Sequence, residues 1–515
     1  MTSTTRIRQA ITFGALTILC GWATAERAGR ATPFVLEART AESVVITNAS
    51  IVDGAGGPAR RGSVRITGDR IVDVGSVTAH PGERVIDANG LTLAPGFIDT
   101  HSHHDRGLLE QRDVLAALSQ GITTIVVGQD GGSSYPLSGF FGRLNATPVS
   151  VNVASYAGHG TVRRRVMGSD FKRVATAAEV AKMEALLREE MQAGALGLSS
   201  GLEYDPGIYS APGELIALAN VVAPFGGRYI SHVRSEDRAF WSAIDEAINI
   251  GREARIPVQI SHLKLAMRSL WGQTDRLIRT LDAARATGVS VTADIYPYPY
   301  WQSGMTVLFP NRDFDNRLEA EFALREVTSP EGLLITRFAP NRSYEGKTLA
   351  DLATLRGVDA PKAMMDMIRE AGDGDIGIVA TSMDERDIAK LITWPFANIC
   401  SDGTSDGGHP RGFGAFTRVL GRYVRQPGGM TLEEAVRKMT SLSAANTGLR
   451  HRGTVRAGSY ADLVLFDPAT TMDRATTSDP KAVSVGVHSV WVNGEIVFQD
   501  GKTTGRFPGR VLRRQ

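Results

Sequence analysis

The strongest constraint on this chain is an alternation. Between about residues 96 and 402, eight short apolar runs recur: "GFIDTH", "TTIVVG", "VSVNVAS", "GALGLSS", "GRYISHV", "IPVQISH", "VSVTADI" and "FANICSD". Helical stretches such as "VAKMEALLREEMQAG" and "FWSAIDEAINIGREA" lie between most of them. Strands alternating with helices mark βαβ units and a parallel sheet. Eight such units that close on themselves make a (β/α)8, TIM-like barrel; left open, they make a doubly wound sheet. Polar residues follow nearly every run. That favours the barrel, because barrels gather their chemistry at the C-terminal ends of the strands.

The flanks follow a different pattern. Residues 43–93 and 453–505 read as short β-strands punctuated by Gly, Asp and Asn turns, as in "SVVITNASIVDG" and "VHSVWVNGEIVFQDG". Together they predict one small composite β-domain built from both chain ends, around a catalytic barrel over 94–452. Within the barrel, residues 303–395 separate the seventh and eighth strands. That is too long for a plain loop, and it is predicted to be a helical insertion lying over the catalytic face as a lid. The first 25 residues carry Arg6 and Arg8, an apolar run, and Ala23-Thr24-Ala25. They read as a secretory signal peptide, hence a periplasmic or secreted protein. No other stretch of about 20 apolar residues is present, so no membrane span is expected.

Lys and Arg total 57 against 55 Asp and Glu, a net charge of +2, which argues against a nucleic-acid partner. The two cysteines, Cys20 and Cys400, exclude a disulfide scaffold and a multi-cysteine metal site. Cys400 is expected to fill core below Asp402. With only ten histidines, their positions matter. His101 and His103 are two apart at the end of the first strand, so both point to one side and can grip one ion. His104 faces away. His232 ends the fifth strand and His262 the sixth, each in an "ISH" context, and Asp402 ends the eighth. Four imidazoles and a carboxylate thus converge on one face. Such nitrogen and oxygen donors suit zinc, and also iron, manganese or cobalt.

The ordered series "GFIDTHSHHD", "GITTIVVG", "GALGLSSGLEYDPG", "SHVRSE", "ISHLK", "DIYPY" and "SDG" followed by "HPRGFGAF" resembles the amidohydrolase superfamily, and within it the N-acyl-D-amino-acid deacylase (D-aminoacylase) branch. The resemblance spans about residues 43–500. It implies a metal-dependent hydrolase acting on the amide bond of a small N-acyl amino acid, D-selective by that resemblance alone. It places His101 and His103 at one metal position, His232 and His262 at the other, and Asp402 beside the metal as general base and then acid. The branch carries a cysteine ligand after the second strand, in a "GNCG"-like turn. Here the turn is "GQDG", so Asp130 is either an oxygen ligand able to bridge two ions or a turn residue. No lysine is present in "GALGLSSGLEY", and Glu203 is the other carboxylate able to bridge. One or two zinc ions are therefore expected. By the same resemblance Arg411 grips the substrate carboxylate and Ser303 binds the substrate; Lys264, two residues past His262 and pointing to the same mouth, is expected to assist, and Tyr296 to donate a hydrogen bond to the substrate or its tetrahedral oxyanion. His159 in "YAGHGTVR" either joins the site or orders nearby loops. Rival readings are a D-residue dipeptidase, a cyclic amidase related to dihydroorotase or hydantoinase, and a non-catalytic binding barrel.

Overall fold

The computed structural model describes residues 43–514, except 373 and 375; the expected signal peptide lies outside these residues. All eight anticipated barrel strands are present. They are Phe97–Asp99, Ile122–Val127, Asn152–Ser155 (resumed at Ala157–Gly158), Gly197–Gly201, Arg228–His232, Val258–Ile260, Val291–Ile295 and Ala397–Ile399. Each pairs in parallel with the next. The eighth meets the first through Asp402 N–H donating to the His101 carbonyl at 2.8 Å and His103 N–H to the Gly403 carbonyl at 2.9 Å. The Ser401 amide adds a bond to Asp99 Oδ1 at 2.8 Å. The barrel therefore closes at the point where its candidate ligands stand. Closure also explains the nearly unbroken apolar strands: all six residues of Ile122–Val127 are buried, as a strand covered on both faces requires.

The two chain ends form one nine-stranded sheet. Thr92–Pro95 pairs antiparallel with Leu463–Phe466, with Leu93 opposite Leu465, and this junction, with a bridge between Arg70 and Tyr460, joins the N-terminal strands to the C-terminal ones. Ile46, Ile51, Val64, Leu93, Leu463 and Trp491 share a separate small core on this sheet.

The insertion departs from the expectation of a helical lid by carrying a sheet as well. Its scaffold is a three-stranded antiparallel sheet in which Gly377–Thr381 lies between Tyr300–Gly304 and Leu333–Arg337. Helices Arg317–Phe322, Leu349–Arg356 and Ala360–Ala371 surround it. The strands are short and are flanked by strong helix signals. "LLITR" and "GIVAT" are β-branched, but without their partners they read as fragments of helix. The lid is tied to the barrel by the Arg312 guanidinium, which donates to the Glu203 carbonyl at 2.7 Å and to Asp205 at 3.1 Å.

Candidate active site and metal centre

Three of the predicted site residues adopt left-handed backbone: Asp130 at φ 51°, His262 at φ 35° and Asp402 at φ 48°. Non-glycine residues avoid this region, and it persists where surrounding structure over-determines it. Here each residue sits just past a barrel strand, where the turn swings its side chain over the barrel mouth. A second local device brings Arg411 in. A Cβ on Gly403 would lie 2.4 Å from Gly412 Cα, so only glycine allows the helix Arg411–Arg418 to approach the turn after Asp402 so closely.

The donors fall into groups whose ligand atoms lie within 4.8 Å of one another: His101, His103, Asp130 and Asp402; Asp130, His232 and His262; and Glu203, His232 and Glu236. Asp130 belongs to the first two, and its two oxygens divide between them. Oδ2 lies 3.5 Å from His101 Nε2 and 3.2 Å from His103 Nε2. Oδ1 lies 3.6 Å from His262 Nε2. Asp402 Oδ1 completes the first group, 3.5 Å from His101 Nε2 and 3.2 Å from His103 Nε2. In the second, His232 Nδ1 faces His262 Nε2 at 3.1 Å.

This set fits a divalent cation. Ligands about 2.0–2.2 Å from a tetrahedral ion stand roughly 3.3–3.6 Å apart, and the observed edges run from 3.1 to 3.6 Å. Both ring nitrogens of buried His101 and Asp130 Oδ1 have no hydrogen-bond partner among the described residues. Buried polar atoms are rarely left so unless something else satisfies them. Burial opposes the charged form of every group here, yet the pairs prevail. Asp130, Asp402 and Asp294 draw the His101 pKa well above its ordinary value, and the imidazoles hold Asp130 well below the usual carboxylate range. The cluster is thus organised to concentrate positive charge between acids.

Behind these donors stands a row of partners that sequence reasoning missed. Asp294 Oδ1 accepts from the His262 amide at 2.6 Å and lies 3.6 Å from His101 Nδ1. Cys400, buried as expected, has its sulfur 3.1 Å from the same oxygen. Glu236 lies 3.1 Å from His262 Nδ1 and accepts a short bond from Lys264 Nζ. Tyr204 Oη is 3.2 Å from His232 Nδ1. Carboxylates behind ligand imidazoles fix tautomer and ring orientation. Glu236 and Asp294 stood in the quoted motifs "SHVRSE" and "DIYPY", and their nearness to His232 and Tyr296 in sequence was the available signal. Glu203 also belongs with these partners. It bonds His232 Nε2 at 2.9 Å, the nitrogen turned away from His262, so the structure does not place it as a bridge to Asp130.

Arg411, buried, sets Nη1 2.6 Å from Asp402 Oδ2 and stacks its guanidinium 4.7 Å from the Tyr296 ring centre. Its Nε and the Tyr296 hydroxyl have no partner among the described residues. Burial keeps that hydroxyl protonated far above its ordinary range. His409 fixes the turn before Arg411: its Nδ1 accepts from the Arg411 amide at 2.9 Å, and its Nε2 lies 2.8 Å from the Tyr300 carbonyl. Arg411, Tyr296, Lys264, Ser303, Glu203 and Asp402 all line one cavity. His159 is elsewhere. It is buried against Glu214 at 2.7 Å, with Arg163 on the same carboxylate, and belongs neither to the donor groups nor to the cavity lining. His104 bonds Ser102 at 2.8 Å, apart from the donors, as expected.

The chain matches the amidohydrolase family over residues 84–269 and 331–498. It belongs to that family. N-acyl-D-glutamate deacylase of Alcaligenes xylosoxydans xylosoxydans is 37% identical, covering 92% of this chain and 96% of the relative. N-acyl-D-aspartate deacylase of the same organism is 38% identical, covering 91% and 94%. Among solved structures, N-acyl-D-glutamate deacylase from Bordetella bronchiseptica, complexed with zinc and a phosphonate mimic of the tetrahedral intermediate, superposes with a TM-score of 0.83. It is 36% identical, over 92% of this chain and 100% of that one.

Proposed function

We propose that this amidohydrolase hydrolyses the amide bond of N-acyl-D-amino acids with zinc at the Asp130-centred cluster. The observation that carries the reading is the division of the Asp130 oxygens between two imidazole pairs, next to a buried Asp402–Arg411 ion pair that lines the cavity. His101, His103, Asp130 and Asp402 would hold one ion; His232, His262 and Asp130 would hold a second. When bound, zinc supplies Lewis acidity, making water a nucleophile near neutral pH and polarising the amide carbonyl.

The chain's own groups do the rest. Asp402 is buried, but Arg411 and the imidazoles keep it ionised, well below the usual carboxylate range. It can take the proton of the attacking water and hand it to the leaving nitrogen. The partnerless Tyr296 hydroxyl is a preorganised donor for the tetrahedral oxyanion. Arg411 retains a partnerless Nε–H beside its bond to Asp402, and a guanidinium fork matches the substrate's α-carboxylate. Fixing that carboxylate orients the chiral centre, which supports the D-selectivity of the named relatives as the expectation here. Ser303 lines the same cavity and Lys264 holds Glu236 in place. Export by residues 1–25 completes the proposal and rests on their sequence alone.

The test is metal content and turnover measured on one preparation lacking residues 1–25. Bound zinc with release of free amino acid from N-acetyl-D- but not N-acetyl-L-amino acids is the expected result. Metal without deacylation, but with cleavage of dipeptides or cyclic amides, would redirect the reading. A chain that binds no metal after zinc addition would end it.

A further inference from the structure

The motif "YAGHGTVR" lies outside the cavity, yet it packs against the turn that carries Asp130. His159–Met167 is a helix, and its first turn meets residues 131–133. The Thr161 amide, one of the donors a helix start leaves without an internal partner, donates to the Gly131 carbonyl at 3.0 Å. The Thr161 hydroxyl accepts from the Ser133 amide at 3.0 Å and donates to the Ser133 carbonyl at 3.2 Å. In return the Ser133 hydroxyl accepts from the Gly158 amide at 2.9 Å. Glycines make this approach possible. A Cβ on Gly158 would stand 2.4 Å from the Gly131 oxygen, and one on Gly160 would stand 3.0 Å from it. The helix is itself held from outside: His159 lies 2.7 Å from one oxygen of Glu214, and Arg163 bonds the other.

The turn has two arms, and they are held by different parts of the chain. Upstream of Asp130, Gln129 Nε2 donates to the Thr100 and Val126 carbonyls at 2.9 and 3.0 Å, and the Ser199 hydroxyl donates to the Gly128 carbonyl at 2.6 Å. Downstream, the hydrogen bonds that reach residues 131–133 from outside the turn come, among the described residues, from Thr161 and Gly158. Asp130 between the arms stands at φ 51°, a backbone that its surroundings must enforce. A turn free to relax at its downstream arm would rotate the carboxylate, and one oxygen could no longer face His101 and His103 while the other faces His262. A hydroxyl serving only its own helix would point back along it; this one reaches across to Ser133. We infer that Thr161 is a positioning residue of the metal centre, whose hydroxyl locks the downstream arm so that both Asp130 oxygens are aimed before an ion arrives. The inference rests on the proposed cluster at Asp130. It also gives His159 a use: with Glu214 and Arg163 it holds the helix that presents Thr161.

The experiment compares Thr161→Val, which keeps the shape and removes the hydroxyl, with Thr161→Ser, which keeps the hydroxyl. The full-length protein is stripped of metal and titrated with zinc against a chelator. Thr161→Val should lose about tenfold or more in affinity, the scale on which groups that orient a ligand act. Thr161→Ser should bind zinc as the unsubstituted protein does. Cobalt(II) in place of zinc gives a reading that a merely structural role would not move. Its visible absorption reports the donor geometry, which valine should alter and serine should not. With the N-acyl-D-amino acid, kcat should fall in Thr161→Val while KM stays, because Arg411 is untouched. Thr161→Cys, whose thiol bonds only weakly, covers the case in which the valine variant does not fold, and should show the same loss. A lower urea midpoint with zinc affinity and cobalt spectrum unchanged would overturn the inference and leave Thr161 a structural tie. Equal losses with valine and serine would overturn it too. An unsubstituted protein that binds no zinc would sink the proposed centre, and the inference with it; zinc on that protein with nothing lost in Thr161→Val would sink the inference alone.

Discussion

One cavity has two walls of opposite character. On the barrel side, imidazoles, carboxylates, a lysine and an arginine stand within hydrogen-bond or ligand distance of one another, three of the site residues on left-handed backbone. On the lid side, Trp301, Val307, Leu308 and Val327 bring almost no charge. The barrel wall is dictated by chemistry: a donor moved by an ångström no longer meets its ion or its proton. The lid wall is dictated by shape and dryness, and many apolar combinations of similar volume would serve. The comparison teaches where reaction and specificity are separable. Changes on the barrel side should act on rate and metal, and changes on the lid side on substrate choice.

The sharpest way to break that division is at Asp402. Asp402→Asn keeps the side chain's shape and an oxygen toward His101 and His103, but removes the proton acceptor. We expect kcat to fall by about 10²–10⁴, with most of the metal retained by elemental analysis. Undiminished turnover would remove Asp402 from the reaction, and loss of all metal would make its role structural. Next in size is Arg411→Ala. Truncating one partner of a buried charge pair typically costs about 2–5 kcal/mol, so KM for substrates with a free carboxylate should rise by roughly 30-fold or more. Substrates with that carboxylate amidated should change far less. Equal losses for both would mean that Arg411 serves only to hold Asp402.

A third test asks whether the outer partners of the imidazoles matter to the ionic wall. Glu203→Gln leaves an acceptor for His232 Nε2–H but removes its charge. Zinc affinity by chelator competition should weaken by about 10- to 100-fold, with the fold unchanged by circular dichroism. Undiminished affinity would remove Glu203 from the partners that orient His232.

The same two walls explain what was legible in the sequence. "HSH", two "ISH" strand ends and "SDG" announce themselves because each ligand type must sit at a strand terminus, and strand termini are visible from apolar periodicity. Asp130 was legible as a departure within a known turn, and the structure places its oxygens between both pairs. Glu236, Asp294 and His409 were not, because acids and histidines near loops are common and only three-dimensional contact singles them out. His159 misled for the converse reason: its motif resembles the family's, yet its imidazole is bound to Glu214 away from the cavity. The lid was the least legible. Its sheet depends on pairing Gly377–Thr381 with strands 40 or more residues away in sequence, and no local pattern encodes that partnership.

The smallest effect expected is a control on the barrel side, remote from the cavity. Glu190 is buried in the helix Ala177–Ala193, and its carboxylate oxygens accept from the Leu137 amide at 3.1 and 3.3 Å, at the start of the helix Leu137–Ala146. Burial, against that amide bond, raises its pKa to about 7. A carboxyl raised in the folded state favours folding while protonated. Its contribution is whole below the unfolded value near 4.5 and is lost as pH climbs through about 7. Glu190→Gln keeps an acceptor for the Leu137 amide and cannot ionise. It should therefore match the unsubstituted protein near pH 4.5 and exceed it by about 1–3 kcal/mol at pH 8, measured by urea unfolding, with kcat and substrate preference unmoved at both. An equal gain at both pH values would assign the effect to packing, not charge. A change in kcat would show that the barrel wall transmits strain from its outer helices to the ligands, and the separation between a rate-setting wall and a substrate-choosing wall would no longer hold.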